Sequence, residues 1–328
     1  MTTLNKTYSY TNLSPDMIRK KIEDRELLEH LDGLPEDGRQ VVLLADGQIR
    51  LTGLGGTTMV NQMRANFNLA LLETYVLGQA YIAAGLMASS VKGNDRIQLN
   101  VECGGPVGGI YVESWACGAV RGFLKNNPIP LDKPLENRDI SLLYGPGFIS
   151  VTKLLEGNRT PFTGQVMMQY GDLAKDLALY SNESEQTPTM FSLGLDFDTK
   201  GRLTGAGGLF LQAMPGCSDD VLEALQKKSA SLPSLGKAIS SGKPVSDYIR
   251  ENFADFGVQD LASEPLGFSC PCTREHFSTF LGRLPDDEKA GIMKDDRFPL
   301  ELECLNCGTK YSFGKGEIEK LFSGGGNA

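Results

Sequence analysis

The chain has 328 residues, of which 41% are hydrophobic and 22% charged, with 7 cysteines, 2 histidines and a formal net charge of −9. That length exceeds the usual single domain, so two domains, or one domain and a smaller module, are expected. The acidic balance counts against a nucleic-acid groove or an anionic membrane surface as the main partner, because both recruit clustered Lys and Arg.

The N-terminus, MTTLNKTYSYTNLSPD, shows no basic segment followed by an apolar run. Without that signature a cytoplasmic, reducing location is expected. Residues 1–39 are polar and read as an N-terminal extension, with a helix opening at Ser14-Pro15 and running through IRKKIEDRELLEHL. His30 lies on that polar helix and reads as a solvated surface residue. From Gln40, QVVLL and QIRLTG read as two strands of a hairpin around Asp46-Gly47.

A helix is expected over roughly residues 60–91, and its stretch from Thr74 to Val91 carries no charge. Gly78, Gln79, Gly85, Ser89 and Ser90 make it too polar for lipid, so it reads as a buried core helix rather than a membrane span. Short apolar or alternating runs then recur between glycine turns: IQLNVEC, GIYVESW, GAVRGFL, GFISVTK, TGQVMMQY, TMFSLGLDF and LTGAGGLFLQAM. GDLAKDLALYSNESEQ interrupts them with helical spacing at Leu173, Leu177 and Tyr180. The glycines of GPVGGI and GAGGLF lack nucleotide-loop spacing and read as turns or close strand contacts.

Residues 216–262 differ in kind. Ser218 caps a helix with Val221, Leu222 and Leu225 on one face, and Pro244 opens another with Val245, Tyr248, Ile249, Phe253 and Phe256 in register. Between them lies KKSASLPSLGKAISSGKP, so this segment reads as a helical linker whose narrow apolar stripes need a surface to lie on. The whole is an α+β protein: a mixed α/β core domain over 1–215, the metastable linker, a small C-terminal module over 263–322, and a disordered tail over 323–328.

Cys270, Cys272, Cys304 and Cys307 form a C-x-C and C-x-x-C array within that module. In a reducing compartment close cysteine pairs are metal ligands or redox centres more often than structural disulfides, and four thiolates suit one tetrahedral Zn²⁺ per chain. A module under about sixty residues has a core contributing about 3–5 kcal/mol, against on the order of 10–16 kcal/mol from a structural zinc site. Metal loss therefore unfolds the module. Thiolates are also what peroxide attacks, and disulfides Cys270–Cys272 and Cys304–Cys307 would destroy the ligand set. His276 lies near Cys272 but four cysteines already complete a tetrahedral shell. Cys103, Cys117 and Cys217 read as small buried or half-buried residues; the first two lie on neighbouring predicted strands and could meet.

The C-x-C, helical insert and C-x-x-C pattern, followed by Tyr311 and Phe313, resembles the C-terminal module of the heat shock protein 33 family of redox-regulated holdase chaperones. SNESEQTPT (181–189), GAGGLFLQAMP (205–215), FTGQV (162–166), Val120 to Gly122, CTREHF and LPDDEKAGIMKDD extend the resemblance over about residues 65–322. The first forty residues are longer and more polar than that pattern. The resemblance implies a chaperone that binds unfolding client proteins without ATP. Oxidation with mild unfolding would release zinc, melt linker and module, expose apolar surface and favour a homodimer. Neither a nucleic acid nor a membrane is implied as partner, and no catalytic residue. Two other readings compete: a thiol-disulfide oxidoreductase using Cys304-Leu305-Asn306-Cys307, and a structural zinc ribbon that docks a partner.

Overall fold

The computed structural model describes residues 17–131, 133, 139–158 and 160–323. Its N-terminal half contains α1 (Arg25–Asp32), β1 (Gly38–Leu44), β2 (Ile49–Gly55), α2 (Thr57–Phe67) and α3 (Leu71–Met87). There follow β3 (Arg96–Cys103), β4 (Gly109–Trp115), β5 (Ala119–Leu124), α4 (Ser141–Tyr144), β6 (Gly147–Leu154) and β7 (Phe162–Met167). After α5 (Leu173–Ser184) come β8 (Thr189–Phe197), β9 (Leu203–Ala213), α6 (Asp219–Ala230), α7 (Leu235–Ser240) and α8 (Val245–Phe253). The C-terminal part holds β10 (Gln259–Pro265), β11 (Gly267–Phe268), α9 (Arg274–Gly282), α10 (Asp286–Asp295), β12 (Leu300–Glu303), β13 (Lys310–Phe313) and α11 (Lys315–Ser323).

Two sheets enclose one helix. The first runs β10-β1-β2-β9-β8 and the second β11-β5-β4-β3-β6-β7, while β12 and β13 form a separate ribbon. Helix α3 packs against strands of both larger sheets and is buried from Thr74 to Met87 except at Tyr75 and Gln79. Its small residues make this possible: a Cβ on Gly78 would lie 2.6 Å from Leu195, and one on Gly85 would lie 2.8 Å from Leu54. The uncharged run is thus a core helix, apolar all round because protein surrounds it. It is also the one helix among the described residues long and apolar enough to cross a membrane.

The single helix expected over 60–91 is two. Asn68 breaks it in the left-handed conformation at φ 52°, capping α2 before α3 begins. The helix expected from Ser14-Pro15 is also shorter. Residues 14–16 lie outside the described residues, residues 17–24 are not helical, and α1 starts at Arg25, where the Asp24 side chain accepts a hydrogen bond from Leu27 N. The backbone of residues 18 and 20 is satisfied instead by side chains of α2 and the C-terminal module. His30 is half-buried rather than solvated, its Nε2 lying 2.8 Å from Thr204 O. Register separates Cys103 from Cys117: Arg96 faces Trp115 and Glu102 faces Gly109, so the two thiols sit at opposite ends of the β3–β4 ribbon. Ser323, read as tail, closes α11, and residues 324–328 lie outside the described residues.

The helical segment lies on the outer face of the first sheet. Leu225, Leu235, Ile239, Tyr248, Ile249 and Phe253 form a buried cluster with Val42, Leu44, Leu51 and Leu209 below them. Strand glycines clear the path for α7. A Cβ on Gly205 would stand 2.0 Å from Gly236 O, and one on Gly207 would stand 2.6 Å from Ile239 Cδ1. GAGGLF is therefore a run of close contacts in mid-strand, as its glycines suggest. Beyond α8 the chain enters the same sheet as β10, antiparallel to β1, then pairs β11 in parallel with Ala119 and Val120 of β5.

Gly236 tests whether α7 is held by the sheet or by its own propensity. In an exposed helix Gly→Ala stabilises by about 1 kcal/mol. Here the added methyl would meet Gly194 O at 2.4 Å. Gly236→Ala is therefore expected to loosen α7, seen as faster tryptic cleavage at Lys227, Lys228 and Lys237 than in the parent protein.

Candidate metal centre

Two arms bring the cysteines together. The first arm leaves β11 with Ser269 N bonded to Val120 O at 3.0 Å, which fixes Cys270 against β5. Cys272 follows, and Thr273 caps α9 by accepting from His276 N at 3.1 Å. The second arm is the turn between β12 and β13. Cys307 N and Gly308 N both donate to Cys304 O, at 3.2 and 2.8 Å, and Cys304 N donates to Thr309 O at 2.9 Å. Gly308 is needed there because its φ is +68°.

All four sulfurs lie within 4.8 Å of one another and all four residues are buried. Cys270 and Cys304 Sγ are 3.8 Å apart, and Cys272 and Cys307 Sγ 3.4 Å. A tetrahedron with metal–sulfur bonds of about 2.3 Å has edges of about 3.8 Å. The donor set fits a single ion, and four soft thiolates suit a thiophilic metal rather than magnesium or calcium. No disulfide links the seven cysteines. His276 is exposed on α9 and outside the donor cluster, so the four cysteines stand without it.

The surroundings supply hydrogen-bond donors, as ligating sulfur requires. Arg121 Nη1 donates to Cys270 Sγ at 3.3 Å, Tyr311 Oη to Cys272 Sγ at 3.2 Å, and Thr309 Oγ1 lies 3.2 Å from Cys307 Sγ. Hydrogen bonds from the neighbouring thiols, and then the Arg121 charge, hold Cys270 below the ordinary thiol range. Burial opposes the charge on Arg121, but attraction to Cys270 and Glu113 outweighs it and raises its pKa. Glu113, 1% exposed, accepts from Arg121 Nε at 2.6 Å and from Tyr111 Oη at 3.0 Å. The Arg121 guanidinium also lies 5.1 Å from the centre of the Trp115 ring. A network rooted in the second sheet therefore ends on a cysteine sulfur.

The module's own apolar core is small, with Leu281, Phe313 and Ile318 buried and the Phe277 and Tyr311 rings 4.9 Å apart. It is continuous with the main core through Phe268 and Tyr81, whose ring centres are 6.2 Å apart. Gly122 N of β5 donates to Asn306 O at 3.3 Å, and Asn66 Nδ2 of α2 donates to Cys307 O at 2.8 Å. The Cys304-Leu305-Asn306-Cys307 run sits between two antiparallel strands with both thiols buried. An oxidoreductase needs an accessible thiol of lowered pKa, so this placement disfavours that reading.

Such a fold and donor set define an α+β protein carrying a four-cysteine module docked on its core. The profile described as Hsp33 protein matches residues 37–314, and the chain belongs to that family. The 33 kDa chaperonin of Desulforamulus reducens is 34% identical over 278 residues, covering 84% of this chain and 94% of that one. The 33 kDa chaperonin of Halalkalibacterium halodurans is 30% identical over 279 residues, covering 84% and 95%. The crystal structure of the 33 kDa chaperonin (heat shock protein 33 homologue) of Thermotoga maritima superposes with a TM-score of 0.78 at 27% identity, covering 88% and 98%.

Spacing alone identified the four cysteines, whereas Arg121, Thr309 and Asn66 carried no signal that they would meet them. Arg121 sits in the VRG block as one basic residue among apolar neighbours, which is the nearest thing to a clue. Arg121→Gln leaves Glu113 buried with only Arg96, 3.6 Å away, as a cation. Breaking a buried pair from one side costs about 3–5 kcal/mol, and Arg96 places the expected loss at about 3. The urea midpoint should fall accordingly, with Arg121→Lys retaining part of the difference.

Proposed function

We propose that this protein is a redox-regulated, ATP-independent holdase of the cytoplasm that binds one Zn²⁺ through Cys270, Cys272, Cys304 and Cys307 while reduced. In this reading residues 1–215 are the core, 216–262 a linker of low intrinsic stability, and 263–322 the switch module. The observation that carries the proposal is the buried set of four sulfurs at tetrahedral spacing, in a module that rests directly on β5. Zinc supplies the charge that lets four thiolates share that space. Membership of a family whose relatives are named chaperonins supports the client-binding half of the reading.

Oxidation removes the ligands. Each disulfide takes two electrons from two thiolates, and peroxide accepts them as its O–O bond breaks, giving water once protons are supplied. Cys270 with Cys272 and Cys304 with Cys307 are the proposed pairs. Across the arms, sulfurs 3.4 and 3.8 Å apart are close only while the module is folded. Once it opens, only partners within one arm stay at high effective concentration. The module then unfolds, because its core of about 3–5 kcal/mol cannot replace a metal contribution on the order of 10–16 kcal/mol.

Loss of the module removes the anchor of β11 and of the chain leading back through β10 to α8. The linker's apolar stripes and the sheet face beneath them, including Leu44, Leu51 and Leu209, become available to unfolding clients. Two exposed copies of that face would also favour a homodimer. The acidic charge gives no reason to expect a nucleic acid or an anionic membrane among the partners.

The test follows metal, thiols and protection together. Reduced protein should contain one zinc per chain and leave a heat-denaturing client to aggregate. Peroxide at raised temperature should release the zinc, consume four thiols and suppress the light scattering of the same client. Peptide mapping reads the disulfide pairs. Equal failure of both forms to protect the client removes the proposed activity, and a reduced, metal-free protein with a folded module removes the switch.

A further inference from the structure

Residues 17–23 lie outside the stretch that the family profile matches, yet they run along the junction between α2 and the cysteine turn. Met17 is 7% exposed and belongs to the apolar cluster that contains all four cysteines. Ile18 N donates to Thr309 Oγ1 at 3.1 Å, the same oxygen that lies 3.2 Å from Cys307 Sγ. Arg19 Nη2 donates to Phe268 O at 3.2 Å, at the start of the first cysteine arm. Lys20 O accepts from Gln62 Nε2 at 2.9 Å.

Asn66 joins these contacts. Its side chain, on a residue 1% exposed, donates to Ile18 O at 2.9 Å and accepts from Lys20 N at 3.1 Å. A primary amide placed this way does for one extended segment what a neighbouring strand's peptide group does in a ladder. The same Nδ2 donates to Cys307 O at 2.8 Å. A Cβ on Gly308 would stand 3.1 Å from Asn66 O, so the cysteine turn is pressed against the end of α2. One buried amide therefore holds the N-terminal segment and the metal-binding turn at once.

We propose that residues 17–23 form a strap that clasps the Cys304–Cys307 turn to α2 and raises the barrier to opening of the module. The strap is absent from the matched family stretch, so it adds a second latch, made of hydrogen bonds and one buried methionine, to the latch formed by the thiol cluster. The two are coupled reciprocally: whatever stabilises the turn by holding the strap is matched by the turn's hold on the strap. Oxidation of the cysteines should free the segment, and loss of the segment should ease access to the cysteines. The proposal rests on the reading of the four cysteines as the switch, but not on which metal they hold.

The pair Ile18→Pro and Lys20→Pro removes both backbone donors of the strap while leaving every residue of the module and of α2 in place. Maleimide modification of the four thiols in the reduced full-length protein reads accessibility, and zinc release to a chromophoric chelator is recorded in parallel. Modification is expected to be on the order of tenfold faster in the double variant, within the usual range of coupling between sites. A thermal melt followed by the second sheet's Trp115 should be unmoved. In the parent protein the Ile18 and Lys20 amides should exchange slowly when reduced and rapidly after peroxide. Equal modification rates in parent and variant overturn the strap, as does identical exchange of those two amides in both redox states. Because thiol accessibility is read apart from metal and client protection, a strap that fails is distinguishable from a switch that fails.

Discussion

Four sulfur atoms within 4.8 Å of one another, all withdrawn from water, are the constraint on which the C-terminal half of the molecule depends. As thiolates they repel and need a cation among them; as thiols they are poor mutual hydrogen-bond partners in a space that a well-packed apolar core would fill better. The cluster is stable with an ion and weak without one. That asymmetry makes the site a condition rather than a decoration, since the backbone turns that carry the cysteines also carry the contacts to β5 and α2.

The linker inherits its order from both ends. On the sheet side, strand glycines at 205 and 207 let the α7 backbone and its Leu235 and Ile239 side chains sit directly on the strand, and Tyr248 Oη reaches Pro233 O at 2.5 Å to clip α8 to the preceding turn. On the module side, β10 adds an edge to the first sheet and β11 contributes only two residues of pairing to the second. Two residues of parallel ladder are far below what holds a strand by itself. The position of β11 thus depends on the burial of Phe268 and on Cys270 with the Arg121 contact just beyond it, while β10 keeps its own ladder along β1.

The parts legible in the sequence were those governed by local chemistry. Alternating runs such as IQLNVEC became strands with one face in the core, and the C-x-C and C-x-x-C spacing placed four donors in one cluster because short turns fix where each pair points. What was hidden depended on distant partners. Nothing local distinguishes IRKKIEDRELLEHL from one continuous helix; the backbone of its first residues is taken up by Asn66, Gln62 and Thr309, the last of these about three hundred positions away. His30 reads as solvated for the same reason, its partner being the carbonyl of Thr204. Cys103 and Cys117 read as able to meet because strand adjacency is legible while register is not.

The contacts around the cysteines also decide how sharply the module can respond. Arg121 touches Cys270, Tyr311 touches Cys272, Asn66 holds Cys307 O and Gly122 holds Asn306 O, so each is anchored in, or hydrogen-bonded to, a residue of a cysteine arm. Were these bonds spread along α9 and α10, the loss of one sulfur ligand would loosen the module by degrees. Concentrated on the two turns, they are lost together when the turns lose their shape, and Glu113 then keeps Arg121 paired within the second sheet, so that the core domain is not left with a buried uncompensated charge. Under the proposed switch, the core domain would therefore keep its buried charge compensated when the module that rests on it opens.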